Sequence, residues 1–545
     1  MREGKENEDL TDVNSDELAK KRIEQKAKGN SKEPTSEESS KNSAATTLVE
    51  MALEKYDFGL STTGETFAIP KTGPRLVAML RGSKTSLRGQ LARDYFREYR
   101  RAAPQQALAD ALLVIDGFAQ EAKERELYLR VASHDKNLWI DMCDLTGRAI
   151  KITSQGWSIE SQPPMLFRRT VLNGPLPDPE LGGTLEYLWS LLNVTEPDRP
   201  LVTAWLIAAL FPDMPHPVLS FLGEQGTGKT TAHKMLVTAI DPGPVPIRKP
   251  PRDSESWVTA AAGSWFVGID NLSDVPPWLS DSICRAVTGE GDVRRKLYTD
   301  GEHAVFAFRR CICLNGIDLG ATRGDLAERM LPITLDRISE TARRSEEEIW
   351  SQWQQRHARI FGAILDLAVH VISGLSSIEL TAKPRMADFA KVLAVVDRVL
   401  GTAGLAHYIE KLATLSADSL TGDCFILAVM ALANRFDGTS ADLLDKVTPE
   451  RPPRSWPKSP RVVTTRLKRH APAMRKMGWI VDNDGGCNKP KVVNWTLVPP
   501  EIARISSPLS PLTRQNTKKA GVAGRAGQEY GPSQDAGDAI DEALI

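Results

Sequence analysis

Residues 223–230 read Gly-Glu-Gln-Gly-Thr-Gly-Lys-Thr, and no other stretch constrains the fold of this chain as strongly. A Gly-x4-Gly-Lys-Thr run needs an apolar strand before it and a helix after it, because its glycines turn backbone N–H groups inward on a polyphosphate. Val218-Leu-Ser-Phe-Leu222 supplies the strand, and Thr231-Ala-His-Lys-Met-Leu-Val-Thr-Ala-Ile240 supplies the helix. The helix N-terminus adds partial positive charge beneath the loop. Lys229 is placed to reach the β- and γ-phosphates, and the Thr230 hydroxyl to sit on Mg²⁺. Gly223, Glu224, Gln225, Gly226, Thr227, Gly228, Lys229, Thr230 and Thr231 are therefore the expected contacts of a nucleoside triphosphate, taken as ATP.

The chain has 545 residues, enough for about three domains. Its 69 basic and 70 acidic residues nearly cancel, so nucleic-acid affinity has to come from a local patch. No apolar run approaches the roughly 18 residues of a membrane span, and Ala204-Trp-Leu-Ile-Ala-Ala-Leu-Phe211 reads as a core helix. The N-terminus shows no apolar signal segment, so a cytoplasmic protein without membrane contact is expected. Six scattered cysteines (143, 284, 311, 313, 424 and 487) contain no paired CxxC units, and they read as reduced, mostly buried thiols.

Composition divides the chain. Residues 1–46 and 499–545 are polar and read as disordered tails. Residues 47–170 mix strand and helix patterns: strands at Glu65–Ile69, Arg75–Leu80, Glu126–Val131, Leu138–Met142 and Ala149–Thr153, and a helix from Ser86 to Glu121 broken near Pro104. Asp141 and Asp144 there read as solvated turn residues rather than a metal pair. A Pro- and Gly-rich connector (163–183) and a helical stretch (Leu185–Phe211) lead to a core placed at 184–340. A helical region follows at 341–450, then a basic module at 451–498 whose first helices start near 424.

Further signals follow the loop. Ser264-Trp-Phe-Val-Gly-Ile-Asp270 is an apolar strand ending in a carboxylate, where a phosphate-loop enzyme holds its metal. Arg310-Cys-Ile-Cys-Leu-Asn315 is a second such strand, and Asn315 is placed to orient the attacking water or sense the γ-phosphate. Asp325-Leu-Ala-Glu-Arg329 precedes the strand Met330–Leu335, and Arg329 is read as a finger reaching a neighbouring subunit's γ-phosphate, with Arg323 as runner-up. Pairing of Arg329 with Asp325 or Glu328 is the competing reading.

This order of loop, strand-Asp, strand-Asn and Asp-Leu-x-x-Arg resembles the AAA+ ATPases, and within them the superfamily 3 helicases and the ATPase half of phage and poxvirus primase-helicases. The resemblance implies an α/β class: a P-loop AAA+ ATPase core with an N-terminal α+β module, a helical lid and a C-terminal winged-helix domain. It implies a homo-oligomeric ring on single-stranded or forked DNA. It also implies a DNA-contacting hairpin between Arg295–Tyr298 and Ala304–Phe308 around an Asp300-Gly301 turn, with Arg294, Arg295 and Lys296 at the matching positions. Arg385 matches a second, lid arginine. The chain departs from the family where a Glu usually follows the metal-holding Asp: here Asn271 follows Asp270, and an amide cannot accept the water's proton. Glu224, Glu290 and Asp274 are the three carboxylates open to that role.

At the C-terminus, 424–446 reads as one helix, a turn at Asp437–Ser440 and a second helix; Pro460–Met477 reads as a third, ended by Gly478. Trp479–Asp482 and Lys491–Leu497 then pair around Asn483–Gly486. Three helices and a two-stranded wing resemble a winged-helix domain, and Arg466, Arg469 and Lys476 are the expected phosphate contacts on its third helix. The leading expectation is an ATP-driven, ring-forming replication motor of a phage, plasmid or integrated element. The alternative is an ATP-gated DNA-binding switch that hydrolyses little. Residues 47–170 show no carboxylate triad, so no primer synthesis is expected.

Overall fold

Five apolar runs between residues 218 and 334 pair into one sheet: β1 (Val218–Leu222), β2 (Ile247–Arg248), β3 (Phe266–Ile269), β4 (Cys311–Asn315) and β5 (Met330–Thr334). Their order is β2-β3-β4-β1-β5, and every neighbouring pair is parallel. The computed structural model describes residues 43–82, 86–273, 275–295, 303–306, 308–316, 324–381, 383–486 and 492–500.

Helices cover both faces of a parallel sheet, so its strands need apolar side chains at both parities. Leu219, Phe221, Phe266, Cys311, Cys313, Leu331 and Ile333 enter one core, closed by helix Lys229–Ile240. Val218, Val267, Ile269, Ile312, Leu314 and Met330 enter the other, closed by helices Ser254–Ala262 and Pro277–Thr288. Cys311 and Cys313 fill the first core, and burial holds both thiols well above their ordinary range.

Some expected elements differ. The stretch 185–211 is not one helix but Glu186–Trp189, a 3-10 turn Glu196–Asp198 and helix Arg199–Ala208, because Pro197 and Pro200 each start a new turn. Helix Glu346–Gly374 opens on a capping box from Ser345 and Glu348. The helical span Glu346–Ser377 is long and apolar enough to cross a membrane by length and composition, although 50% of its most apolar window is buried inside the protein. Asp366 and His370 interrupt that run, which is why the sequence does not read as a span.

Residues 47–170 divide between two cores. Helices Ala44–Lys55, Leu87–Tyr99 and Gln105–Gln120 pack on a small mixed sheet through Leu48, Leu91, Tyr95, Leu108 and Ile115. The antiparallel sheet Val131–His134, Asn137–Asp141, Ala149–Ile152 and Trp157–Glu160 instead sends Val131, Leu138, Ile140, Ile150 and Ile152 into the first core of the central sheet. Strands Tyr56–Ser61 and Trp157–Glu160 were not expected, and only Ala78–Met79 of Arg75–Leu80 pairs. The first helix begins at Ala44, capped by Ser43, so the tail expected to reach residue 46 stops short of it.

Asp141 and Asp144 are not solvated turn residues. Arg169 Nη2 lies 2.6 Å from Asp141 Oδ1, and Arg148 Nε lies 2.5 Å from Asp144 Oδ2. Asp141 is only 2% exposed. Among the described residues no cluster of His, Cys, Asp and Glu could hold a metal.

The C-terminal region runs helix Cys424–Met430, strand Phe436–Thr439, helices Ser440–Val447 and Pro460–Lys476, then strands Ile480–Asn483 and Asn494–Val498. The last strand lies between the other two in an antiparallel sheet. The turn expected at 437–440 is therefore mostly strand.

Candidate functional site

All five strands point their carboxyl ends to one edge, and the chain leaves β1 for the far side of the sheet, returning stepwise through β3 and β4. Such a reversal opens a crevice beyond the strand ends. Gly223–Gly228 lies there, between β1 and helix Lys229–Ile240. Gly223, Gly226 and Gly228 have φ of 142°, 85° and 82°, a region that L side chains avoid. A Cβ on Gly223 would also lie 3.0 Å from Leu335 O, so this glycine is needed for space as well as torsion. Thr227 is buried and its hydroxyl donates to Glu224 O at 3.0 Å, which closes the loop on itself.

Lys229 Nζ donates to Gly223 O at 2.7 Å and Glu224 O at 2.6 Å. Its charge thus lies over the loop, held by carbonyls, with no carboxylate in ion-pair range among the described residues. The Thr230 hydroxyl donates to Asp270 Oδ1 at 3.2 Å, so β3 and the loop helix meet where the sequence placed a metal. Asp270 is fixed by its own N–H, which donates to Arg248 O at 2.8 Å. Gly268, two residues earlier, leaves room for buried His233: a Cβ there would lie 2.7 Å from His233 Nε2. Burial pulls the His233 imidazole down to about 3, so it is neutral.

Asn315 is 2% exposed at the end of β4, beside β3. Its Oδ1 accepts the Asn271 N–H at 2.6 Å, and its main-chain O accepts from Leu272 at 2.9 Å. That oxygen is committed to shaping the turn after Asp270. Asn271 has φ 55°, in the left-handed region that Asn tolerates better than Glu. The backbone thus gives a physical reason for Asn where the resembling family carries Glu. Glu224 and Glu290 are exposed, and Asp274 lies outside the described residues.

Two arginine expectations change. Arg329 is not presented to a neighbour: its side chain is 7% exposed, with Nη1 2.5 Å from Asp325 Oδ1 and 2.9 Å from Asp325 O. Burial pushes the Asp325 carboxyl up, but the hydrogen bond and charge of Arg329, with smaller help from Cys284 and Arg385, together hold it below its usual range. Arg385 is committed nearby, 3.4 Å from Asp325 Oδ1 and 3.8 Å from Glu328 Oε2, and not to the loop. Arg323 lies outside the described residues. The arginine that does approach the loop is Arg343, whose Nη2 lies 3.8 Å from where a Cβ on Gly226 would stand. The sequence reading missed it, although a run of Arg337, Arg343 and Arg344 directly after β5 was a usable signal.

The basic residues separate similarly. Arg294 and Arg295 lie on strand Asp292–Arg295, opposite Ala304 and His303 of strand His303–Phe306. The described part of the hairpin is Asp292–Arg295 against His303–Phe306, so pairing begins at Asp292, ahead of the expected Arg295. Lys296 and the Asp300-Gly301 turn lie outside the described residues. Arg466 does not face solvent as expected: Nη1 lies 2.8 Å from Asp423 Oδ1, the cap of helix Cys424–Met430, and the side chain is 22% exposed. Arg469 and Lys476 are exposed on helix Pro460–Lys476.

Fold and site define a mixed α/β protein in which a parallel sheet gathers a glycine-rich loop, a lysine, a threonine and an aspartate at one edge. Residues 185–418 match the family described as actinomycete integrative conjugative element replication protein, and residues 425–503 match the C-terminal domain of the same replication protein. The two matches span the central sheet, the helices after it and the C-terminal module. Solved structures similar to the chain include one described as the SCCmec type IV Cch active helicase, with 12% identity, 83% of this chain and 94% of that one covered, and a TM-score of 0.41. Another is the apo NrS-1 C-terminal region, with 11% identity, coverage of 84% and 100%, and a TM-score of 0.36. No curated protein matches the chain.

Proposed function

We propose that the chain is an ATP-binding, DNA-associated ATPase acting as a ring-forming, helicase-like replication motor of an integrated conjugative element in the cytoplasm. One observation carries this reading: the Thr230 hydroxyl lies 3.2 Å from Asp270 beside a lysine that caps a left-handed glycine loop. The donor set fits ATP with Mg²⁺. Gly223–Gly228 would offer N–H groups, Lys229 a cation to the phosphates, and Thr230 and Asp270 oxygens to the metal. Bound Mg²⁺ would supply neutralisation of charge on the phosphate oxygens. Asn315 orients the turn carrying Asp270, and Arg343 adds a second cation above the loop.

The sheet order, with the loop strand between β4 and β5, supports the P-loop reading. The C-terminal order helix–strand–helix–helix–strand–strand supports a winged helix with Pro460–Lys476 as the helix that meets DNA. With Arg329 folded onto Asp325, the residue that would complete a neighbour's pocket in a ring is unassigned. The test is ATP hydrolysis by the full chain with no DNA, single-stranded DNA and duplex, beside Lys229→Ala. Hydrolysis that needs Lys229 and rises with DNA is expected; equal rates with and without DNA would count against a motor.

A second reading, an ATP-gated DNA-binding switch with little hydrolysis, is favoured by the amide of Asn271 standing where a proton acceptor is needed.

A further inference from the structure

Helix Pro460–Lys476 exposes Arg461, Lys468, Arg469 and Lys476. Their spacing of seven, one and seven residues keeps them on one side of the helix, about two turns apart at each seven-residue step, a row suited to phosphates. The last of the four is already engaged. Lys476 Nζ lies 2.8 Å from Glu328 Oε1, on the core segment that follows helix Gly324–Ala327. Glu328 is also shared with Arg385, 3.8 Å from its other oxygen, and Asp325 beside it holds both Arg385 and Arg329. The side chains of Lys476 and Glu328 are 56% and 27% exposed, so solvent and a ligand reach the pair.

We infer that this end of the helix is a shared surface, at which the core carboxylate Glu328 and a phosphate of duplex DNA compete for Lys476. The inference rests on the DNA reading of the C-terminal module. A phosphate drawn to Lys476 comes within a few ångströms of Glu328, well inside the distance over which salt screens charge, so the two anions repel. The core therefore lowers the affinity of the module for DNA, and DNA loosens the module from the core. Arg385 sets the strength of this competition: it partly neutralises Glu328, and its loss leaves that carboxylate to Lys476 alone.

The test compares the full chain with Glu328→Gln, Lys476→Ala and the double variant, using fluorescence anisotropy of a labelled mixed-sequence duplex over a salt series. Glu328→Gln should bind roughly fivefold tighter at low salt, with the slope of log K against log salt steeper by about 0.9, the value of one added phosphate contact. Lys476→Ala should cost more affinity in the Glu328→Gln background than in the parent. Arg385→Ala should weaken binding. Equal affinity and slope for parent and Glu328→Gln overturn the competition and leave the DNA reading standing. Binding by neither form overturns the DNA reading itself, and the shared surface with it.

Discussion

Arg130 and Asp241 form an ion pair at 2.8 Å between side chains 0% and 2% exposed. The other nitrogens of Arg130 donate to the carbonyls of Asp141 and Gly174, each at 2.8 Å, and of Pro242 at 3.4 Å. The other Asp241 oxygen accepts the N–H groups of Trp265 and Phe266 at 3.1 Å, at the foot of the strand that ends in Asp270. One carboxylate thus joins the antiparallel sheet of residues 131–160 to β3. Arg130→Ala leaves that carboxylate buried without its cation, and the full chain should lose about 3–5 kcal/mol in urea unfolding. A loss under about 1 kcal/mol would show that water replaces the guanidinium.

Asn271 offers a direct choice between motor and switch. Glu at this position meets the left-handed φ of 55°, at a cost of about 1–2 kcal/mol. Asp tolerates that conformation and supplies a carboxylate, so Asn271→Asp is the cleaner probe. If the missing acceptor limits turnover, kcat should rise about tenfold or more in Asn271→Asp with ATP affinity unchanged. An unchanged kcat points to another base.

Arg343 approaches the loop from the segment after β5. Its removal should weaken ATP binding about tenfold, or about 1.4 kcal/mol, by loss of one charge-assisted contact. Titration calorimetry on Arg343→Ala measures this, and an unaltered Kd would show that Arg343 only packs over the glycines.

Acid should destabilise the protein through three buried imidazoles. Burial pulls His216 and His233 down to about 3 and His357 to about 4, from an ordinary value of 6.5. Among the described residues, neither ring nitrogen of His216 or His233 has a hydrogen-bond partner. Between pH 6.5 and those values the unfolded chain binds protons that the folded chain refuses, so stability falls as pH falls. From pH 7 to pH 5 each should remove about 2 kcal/mol. His216→Phe should flatten the dependence by its share. Stability that stays level over this range would contradict their burial as neutral rings.

The loop, its two strands and the basic helix were legible because each is local. Glycines at fixed offsets, apolar runs of strand length and a helix ended by glycine need no knowledge of what lies across the fold. Arg466 and Asp141 were misread because their partners, Asp423 and Arg169, are distant in sequence and are brought against them by folding. Arg329 follows the competing reading, pairing with Asp325 four residues earlier, a local contact that the sequence already offered. Asn271 was read as a lost function, whereas its torsion shows a backbone demand that no composition argument contains. Arg343 was passed over because the arginines after β5 do not say which of them folds back on the loop; its closeness to Gly226 does.

The antiparallel sheet of residues 131–160 contributes Ile140, Ile150 and Ile152 to the same apolar interior as Leu219 and Phe221. The autonomous folding unit therefore begins some fifty residues ahead of position 185, where the recognisable homology starts. A protein trimmed to that homology would bare a greasy flank of the long helix 346–374 and is expected to aggregate.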